Sequence, residues 1–223
     1  MALEQRVLAR NDERAARNRR WLAERGVLAV NLMSSPGAGK TTLLERTLVD
    51  LAGERGVSVL EGDQETLLDA DRITATGCRV VQINTGSGCH LDADMVHRGL
   101  RALDPPDGSL VFVENVGNLV CPALFDLGEA AKVVIASVTE GADKPAKYPH
   151  MFAAADLILL NKIDLLPYLR FDEAYWLATV RRVNPGATVL RVSATGDDGL
   201  ADWYGWLRTV GGRSAPAQQG AAR

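Results

Sequence analysis

Residues 34–42 read Ser34-Ser35-Pro36-Gly37-Ala38-Gly39-Lys40-Thr41-Thr42, directly after the apolar run VLAVNLM at 27–33 and directly before an apolar helical pattern. A strand, a glycine-rich turn and a helix in this order constrain the chain more than any other feature, because together they form a phosphate-binding loop. Gly37 and Gly39 let backbone N–H groups, including that of Ala38, turn toward a β-phosphate. The helix start near Lys40 favours negative charge. Lys40 reaches the β and γ oxygens, Thr41 offers a hydroxyl to Mg2+, and Thr42 completes the loop. The usual signature has glycine five residues before the final Gly-Lys. Here Ser34 occupies that position, so the first letter departs while the mechanics remain.

Further apolar runs recur at 57–61, 79–84, 109–114, 131–138, 155–160 and 188–193, and stretches of helical spacing lie between several of them, at 41–52, 91–103, 172–183 and 200–210. Alternation of strand and helix predicts an α/β fold, and continuous hydrophobicity predicts strands buried on both faces, as parallel strands are. The expected architecture is a phosphate-loop NTPase three-layer sandwich: a mostly parallel sheet of about seven strands with helices on both faces. With 223 residues, 47% hydrophobic and 24% charged, the chain suits one generous domain. Residues 1–26 are expected to form an N-terminal helix with a solvated face and no chemistry, 27–212 the nucleotide domain, and 213–223 a disordered tail. The 25 basic and 28 acidic side chains leave a net charge of −3, which supports neither a nucleic-acid nor a membrane partner. No apolar run is long enough for a span, and the charged opening does not resemble a signal peptide, so a cytoplasmic location is expected.

Two further motifs suit a nucleotide. Asn161-Lys162-Ile163-Asp164 follows the sixth strand, about 120 residues after the phosphate loop. The Asp164 carboxylate can accept from both the N1–H and the exocyclic amine of guanine, a donor pair adenine lacks. Lys162 would lie along the base, and Ser193-Ala194 fits the further loop that meets the guanine carbonyl. The fourth strand ends in Glu114-Asn115-Val116-Gly117, with Glu114 placed near Mg2+ and Gly117 able to offer its N–H to the γ-phosphate. Asp63, at the end of the second strand, is either another group near Mg2+ or a helix-capping acid.

Cys89 and His90 follow the third strand and Cys121 follows the fourth, so neighbouring strands can bring two thiols and an imidazole to one sheet edge. Such a set suits Zn2+ or Ni2+, and a symmetric dimer could complete it; buried cysteines without metal are the alternative. Cys78, His97 and His150 lack a paired ligand. Lys144, in the loop Thr139–Pro149, either neutralises γ-phosphate charge in cis or across a dimer, or is an ordinary solvated lysine.

From Asn11 to about Leu207, the strings SSPGAGKTTLLERT, EGDQET, INTGSGCHLDADM, FVENVGNLVCPALFDLGE, SVTEGADKP, KYPHMFAAADL and LNKIDLLPYL closely resemble the hydrogenase nickel incorporation GTPases (HypB), in the metal-chaperone class of phosphate-loop GTPases. The resemblance implies GTP and GDP with Mg2+ as nucleotide ligands, a homodimer with Ni2+ (or Zn2+) at its interface on Cys89, His90 and Cys121, and Lys144 reaching the neighbouring subunit's nucleotide. It also implies a nickel-accessory protein, a nickel chaperone and the large subunit of a nickel-iron hydrogenase as partners. Slow turnover is expected, because no glutamine or arginine in these motifs is evidently placed to orient water. The cysteine-rich opening motif and the long histidine tract of some members are absent from this sequence. The urease accessory GTPases differ at the metal motif, a small-molecule kinase fits Asn161–Asp164 poorly, and a carrier using GTP only structurally is left open.

Overall fold

The computed structural model describes residues 2–63, 68–86 and 88–210. The expectation of a disordered tail at 213–223 therefore falls outside the described residues. In chain order the elements are α1 (Ala2–Glu24), β1 (Leu28–Ser34), α2 (Lys40–Asp50), β2 (Val57–Asp63), α3 (Leu68–Ala75), β3 (Arg79–Asn84), α4 (Ala93–Leu103), β4 (Leu110–Glu114), β5 (Ala131–Ser137), α5 (Lys144–Lys147), α6 (Pro149–Ala153), β6 (Leu157–Asn161), α7 (Glu173–Val183), β7 (Thr188–Arg191) and α8 (Leu200–Thr209). Short 3-10 turns fill Cys121–Leu124, Val138–Glu140 and Ile163–Tyr168.

All seven strands pair in parallel, in the order β3-β2-β4-β1-β5-β6-β7. The expected fold class is thus observed. Side chains alternate across the sheet into separate cores. Leu32, Phe112 and Ile135 face the layer formed by Leu43, Leu44 and Ile73 with Trp203 and Trp206 of α8. On the opposite face Met33, Ala136 and Leu160 meet Phe152 and Trp176, while Leu60, Val111 and Val113 meet Leu22, Val96 and Leu100. The chain reverses its winding direction at β1, between β4 and β5. In open parallel sheets, ligands bind beyond the carboxyl ends of strands at such a switch point. Ser34, Asp63, Glu114, Ser137 and Asn161 all end their strands there.

α1 corrects one expectation. It is more than a solvated helix, because Asn11, Ala15, Asn18 and Leu22 form a buried stripe against α4, whereas Val7 is 50% exposed. Asn18 Nδ2 donates to Ala93 O at 2.7 Å and Leu127 O at 3.0 Å, and Asn11 joins Asp126 O and Ala93 N–H. The seam is half carboxamide, so apolar periodicity alone does not reveal it.

Candidate nucleotide and metal site

The phosphate loop curls between β1 and α2 around a cavity of about 540 Å3 lined by Ser34, Ser35, Pro36, Gly37, Gly39, Lys40, Thr41, Thr42, Asp63, Asp69, Arg72, Val116, Gly117 and Lys162. Gly37 and Gly39 adopt φ of +77° and +93°, values an L side chain rarely adopts. A Cβ at Gly39 would also come within 2.6 Å of Asn161 Nδ2, so this glycine is needed for shape as well as dihedral freedom. Ala38 is fully buried.

At the head of α2, Lys40 Nζ donates to Glu114 Oε1 at 2.7 Å and Thr41 Oγ1 to the same oxygen at 2.6 Å. Glu114 is fully buried, and its Oε2 has no protein partner. Register places Glu61 beside it across β2 and β4, also buried and also with an unpartnered Oε2. Burial, then the charges of Glu114 and Asp63, push the Glu61 carboxyl up to about 8. Three carboxyl groups around one lysine, with two orphaned oxygens, fit a divalent cation and the phosphates it accompanies. Thr41, Asp63 and Glu114 are therefore the groups able to hold Mg2+.

The Asn161–Asp164 loop is tied to the phosphate loop. Asn161 Nδ2 donates to Ala38 O at 2.9 Å, and Lys162, at φ +62°, donates from Nζ to Gly37 O at 2.7 Å. Ser193 Oγ donates to Asp164 Oδ1 at 2.6 Å and orients that carboxylate. Ala194 N–H donates to Asn161 Oδ1 at 3.1 Å, so meeting a base carbonyl through it requires that bond to open. Gly117 packs on the loop, where a Cβ would come within 3.2 Å of Pro36 N.

The roles of Glu140 and Arg72 beside this cavity escaped the sequence reading. Glu140 bonds the Ser35 hydroxyl, accepts from Ser137 N–H at 2.8 Å, and lies 3.8 Å from Lys144 Nζ, which places Lys144 beside the phosphate loop of its own chain. A signal was available: Ser137-Val138-Thr139-Glu140 has capping-box spacing, and both reciprocal bonds are present. Arg72 reaches Thr42 Oγ1 at 3.1 Å and Glu45 Oε2 at 2.5 Å, with Asp69 at 3.4 Å. An arginine thus stands in the cavity wall, although it lies outside the motifs quoted above.

β2 separates β3 from β4, so the two strands are not the neighbours the sequence reading expected, but the loops beyond them meet: Cys89 Sγ lies 3.0 Å from Cys121 Sγ and 3.8 Å from His90 Nδ1. The ligand atoms of all three lie within 4.8 Å of one another. The hydrogen bond with Cys89 and then burial raise the Cys121 thiol above its ordinary value, while burial lowers the His90 imidazole and keeps it neutral. His90 stacks on Phe125 at a centroid distance of 3.9 Å. Two thiols and a neutral imidazole suit a borderline divalent ion, which displaces the thiol protons on binding. Cys78 lies apart, donating to Val57 O at 3.3 Å. His97 contacts Asn18 Oδ1 at 3.0 Å.

A family model described as "CobW/HypB/UreG, nucleotide-binding domain" matches residues 28–191. The hydrogenase maturation factor HypB of Rhizobium leguminosarum bv. viciae is 56% identical over 213 residues, which cover 96% of this chain and 71% of that protein. The solved structure of hydrogenase maturation factor HypB from Archaeoglobus fulgidus superposes with a TM-score of 0.85 at 39% identity, covering 92% of this chain and 100% of the other. That of HypB from Helicobacter pylori in complex with nickel has the same TM-score at 36% identity, covering 93% and 99%.

Proposed function

Because the chain belongs to the hydrogenase maturation factor HypB family of the CobW/HypB/UreG nucleotide-binding class, we propose that it is a GTP-hydrolysing metallochaperone that delivers nickel to a nickel-iron hydrogenase during maturation. The observation that carries this reading is the placement of Cys89, His90 and Cys121 as one ligand cluster, with Cys121 in the segment that follows Glu114 and Gly117 beyond β4 and Cys89 and His90 in the loop beyond β3. A nickel complex of a relative with the same fold supports the choice of metal. The cargo moves between partners: a nickel-accessory protein and a nickel chaperone on the supply side, the hydrogenase large subunit on the receiving side. The setting proposed is the cytoplasm; among the described residues, no helix is long and apolar enough to cross a membrane.

The mechanism follows from what Glu114 holds. Lys40 and Thr41 share one carboxylate oxygen, so the triphosphate must draw Lys40 away from Glu114 as it enters. When bound among Thr41, Asp63 and Glu114, Mg2+ would supply neutralising charge for the phosphate oxygens. Asp164 selects guanine through paired acceptor bonds, Ser193 fixing its rotamer. Gly117 offers its N–H to the γ-phosphate from its seat on Pro36, and hydrolysis removes the group that holds it. Lys144 exchanges Glu140 for the nucleotide of a second copy, so GTP favours a dimer that presents both clusters at one interface, and GDP releases it.

Phosphate release from GTP, measured beside metal content, tests this directly. Lys40→Ala should lower kcat/KM by about 10²–10³-fold, the loss associated with removing one electrostatic contact to a developing charge. Cys89→Ala should lose bound nickel. Equal turnover in Lys40→Ala, or unchanged nickel stoichiometry in Cys89→Ala, would contradict the assignment.

A further inference from the structure

Only six residues separate Glu114 from Cys121, and this intervening segment is bonded to the chain on either side of His90, at Cys89 O and at Leu91 N–H. Asn115 is fully buried, and its carboxamide is used at both ends. Oδ1 accepts from Leu91 N–H at 3.1 Å and Val116 N–H at 3.0 Å, while Nδ2 donates to Asn31 Oδ1 at 3.3 Å. Leu91 directly follows His90. Its side chain is buried against Gly62, where a Cβ would come within 2.7 Å of Leu91 Cγ, so its backbone is held by the end of β4 and its side chain by the end of β2. Those two strand ends carry Glu114 and Asp63.

The network continues behind the imidazole. Asn31 Nδ2 donates to Glu129 Oε1 at 3.2 Å, and Glu129 Oε2 accepts from Leu127 N–H at 2.7 Å, two residues beyond the Phe125 ring that stacks on His90. On the other side of the turn, Asn118 Nδ2 donates to Cys89 O at 3.2 Å. Asn115 and Asn118 flank Gly117, which packs on Pro36 of the phosphate loop. A shift of Gly117 relative to Pro36 therefore pulls on the backbone before and after His90 together. Aspartate at 115 could not donate to Asn31, and an apolar residue would leave buried polar groups unmet; the position needs a group that donates and accepts at once.

We propose that Asn115 is the positioning residue that carries the nucleotide state to the Cys89-His90-Cys121 cluster, a proposal that rests on the nickel and nucleotide reading above. Coupling between sites is a measurable free energy rather than a matter of proximity. The test is the nickel affinity of the full chain with GDP and with a non-hydrolysable GTP analogue, in wild type and Asn115→Ala. Wild type should show a ratio in the range of about 5–150-fold, and Asn115→Ala should bring it to about one while each ligand still binds alone. A ratio retained in the variant overturns the proposal and leaves the nickel-switch reading standing. A wild-type ratio of one overturns both. The amide resonance of Leu91 in metal-free wild-type protein gives a second readout, independent of how the variant folds. It should move between the GDP and analogue states, and a stationary resonance overturns the proposal.

Discussion

The proposed preference for guanine rests on one side chain, Asp164. Its Oδ1 is occupied by the Ser193 hydroxyl at 2.6 Å, which fixes the carboxylate without neutralising it. Asp164→Ala should weaken GTP binding about 10²-fold, the loss of charge-assisted bonds worth roughly 3 kcal/mol. Asp164→Asn should shift preference toward xanthine nucleotides, whose C2 carbonyl accepts from an amide. Competition binding with guanine and xanthine nucleotides reads both, and equal guanine affinity in Asp164→Ala would remove Asp164 from the base site. Cys78 offers a contrast in reactivity. Burial pushes its thiol up to about 11, so the thiolate fraction at pH 8 is about a thousandth and rises tenfold per pH unit up to that value. Alkylation followed by peptide mass analysis should show Cys78 slow at pH 8 and faster at pH 10. Comparable rates at the two pH values would contradict its burial. Asp164 was legible because its chemistry is tied to a linear motif, Asn161-Lys162-Ile163-Asp164. Arg72, Asn115 and Asn118 act through tertiary proximity, and nothing in their spacing announces it.

At the scale of elements, α1 is held by carboxamides as well as by Ala15 and Leu22. Asn18 is fully buried, donates to two carbonyls and meets His97. Asn18→Ala strands those partners, and each unmet buried polar group costs about 1–3 kcal/mol. Thermal unfolding should show a destabilisation of about 2–3 kcal/mol; an unchanged melting temperature would mean that α1 contributes little to the folded domain. The helix was legible but its seam was not, because Asn11 and Asn18 make up half of the buried stripe and apolar periodicity does not register them. α4 was the easier case. Asp92 caps it by accepting from Met95 N–H at 2.8 Å, and Val96, Leu100 and Leu103 lie buried on one face. α5 and α6 are only four and five residues long, too short for helical periodicity to register.

For the whole molecule, the order of strands was not readable, but their number and parallel pairing were, because buried β-branched runs separated by helices allow little else. The sheet then does what separate motifs cannot. It sets Glu61 beside Glu114, places Gly117 on Pro36, and brings Cys89 to 3.0 Å from Cys121 across 32 residues of sequence. In the proposed reading, a ligand cluster seated close to Gly117 makes the assembly state the output of the nucleotide state. The central claim is tested most directly by light-scattering mass in solution with Ni2+, in GDP and in a non-hydrolysable GTP analogue, wild type beside Cys121→Ala. The account predicts twice the 24.0 kDa chain mass for wild type with the analogue, a single chain with GDP, and loss of bound metal in Cys121→Ala. A single-chain mass in every condition, or nickel binding indifferent to Cys121, would contradict it.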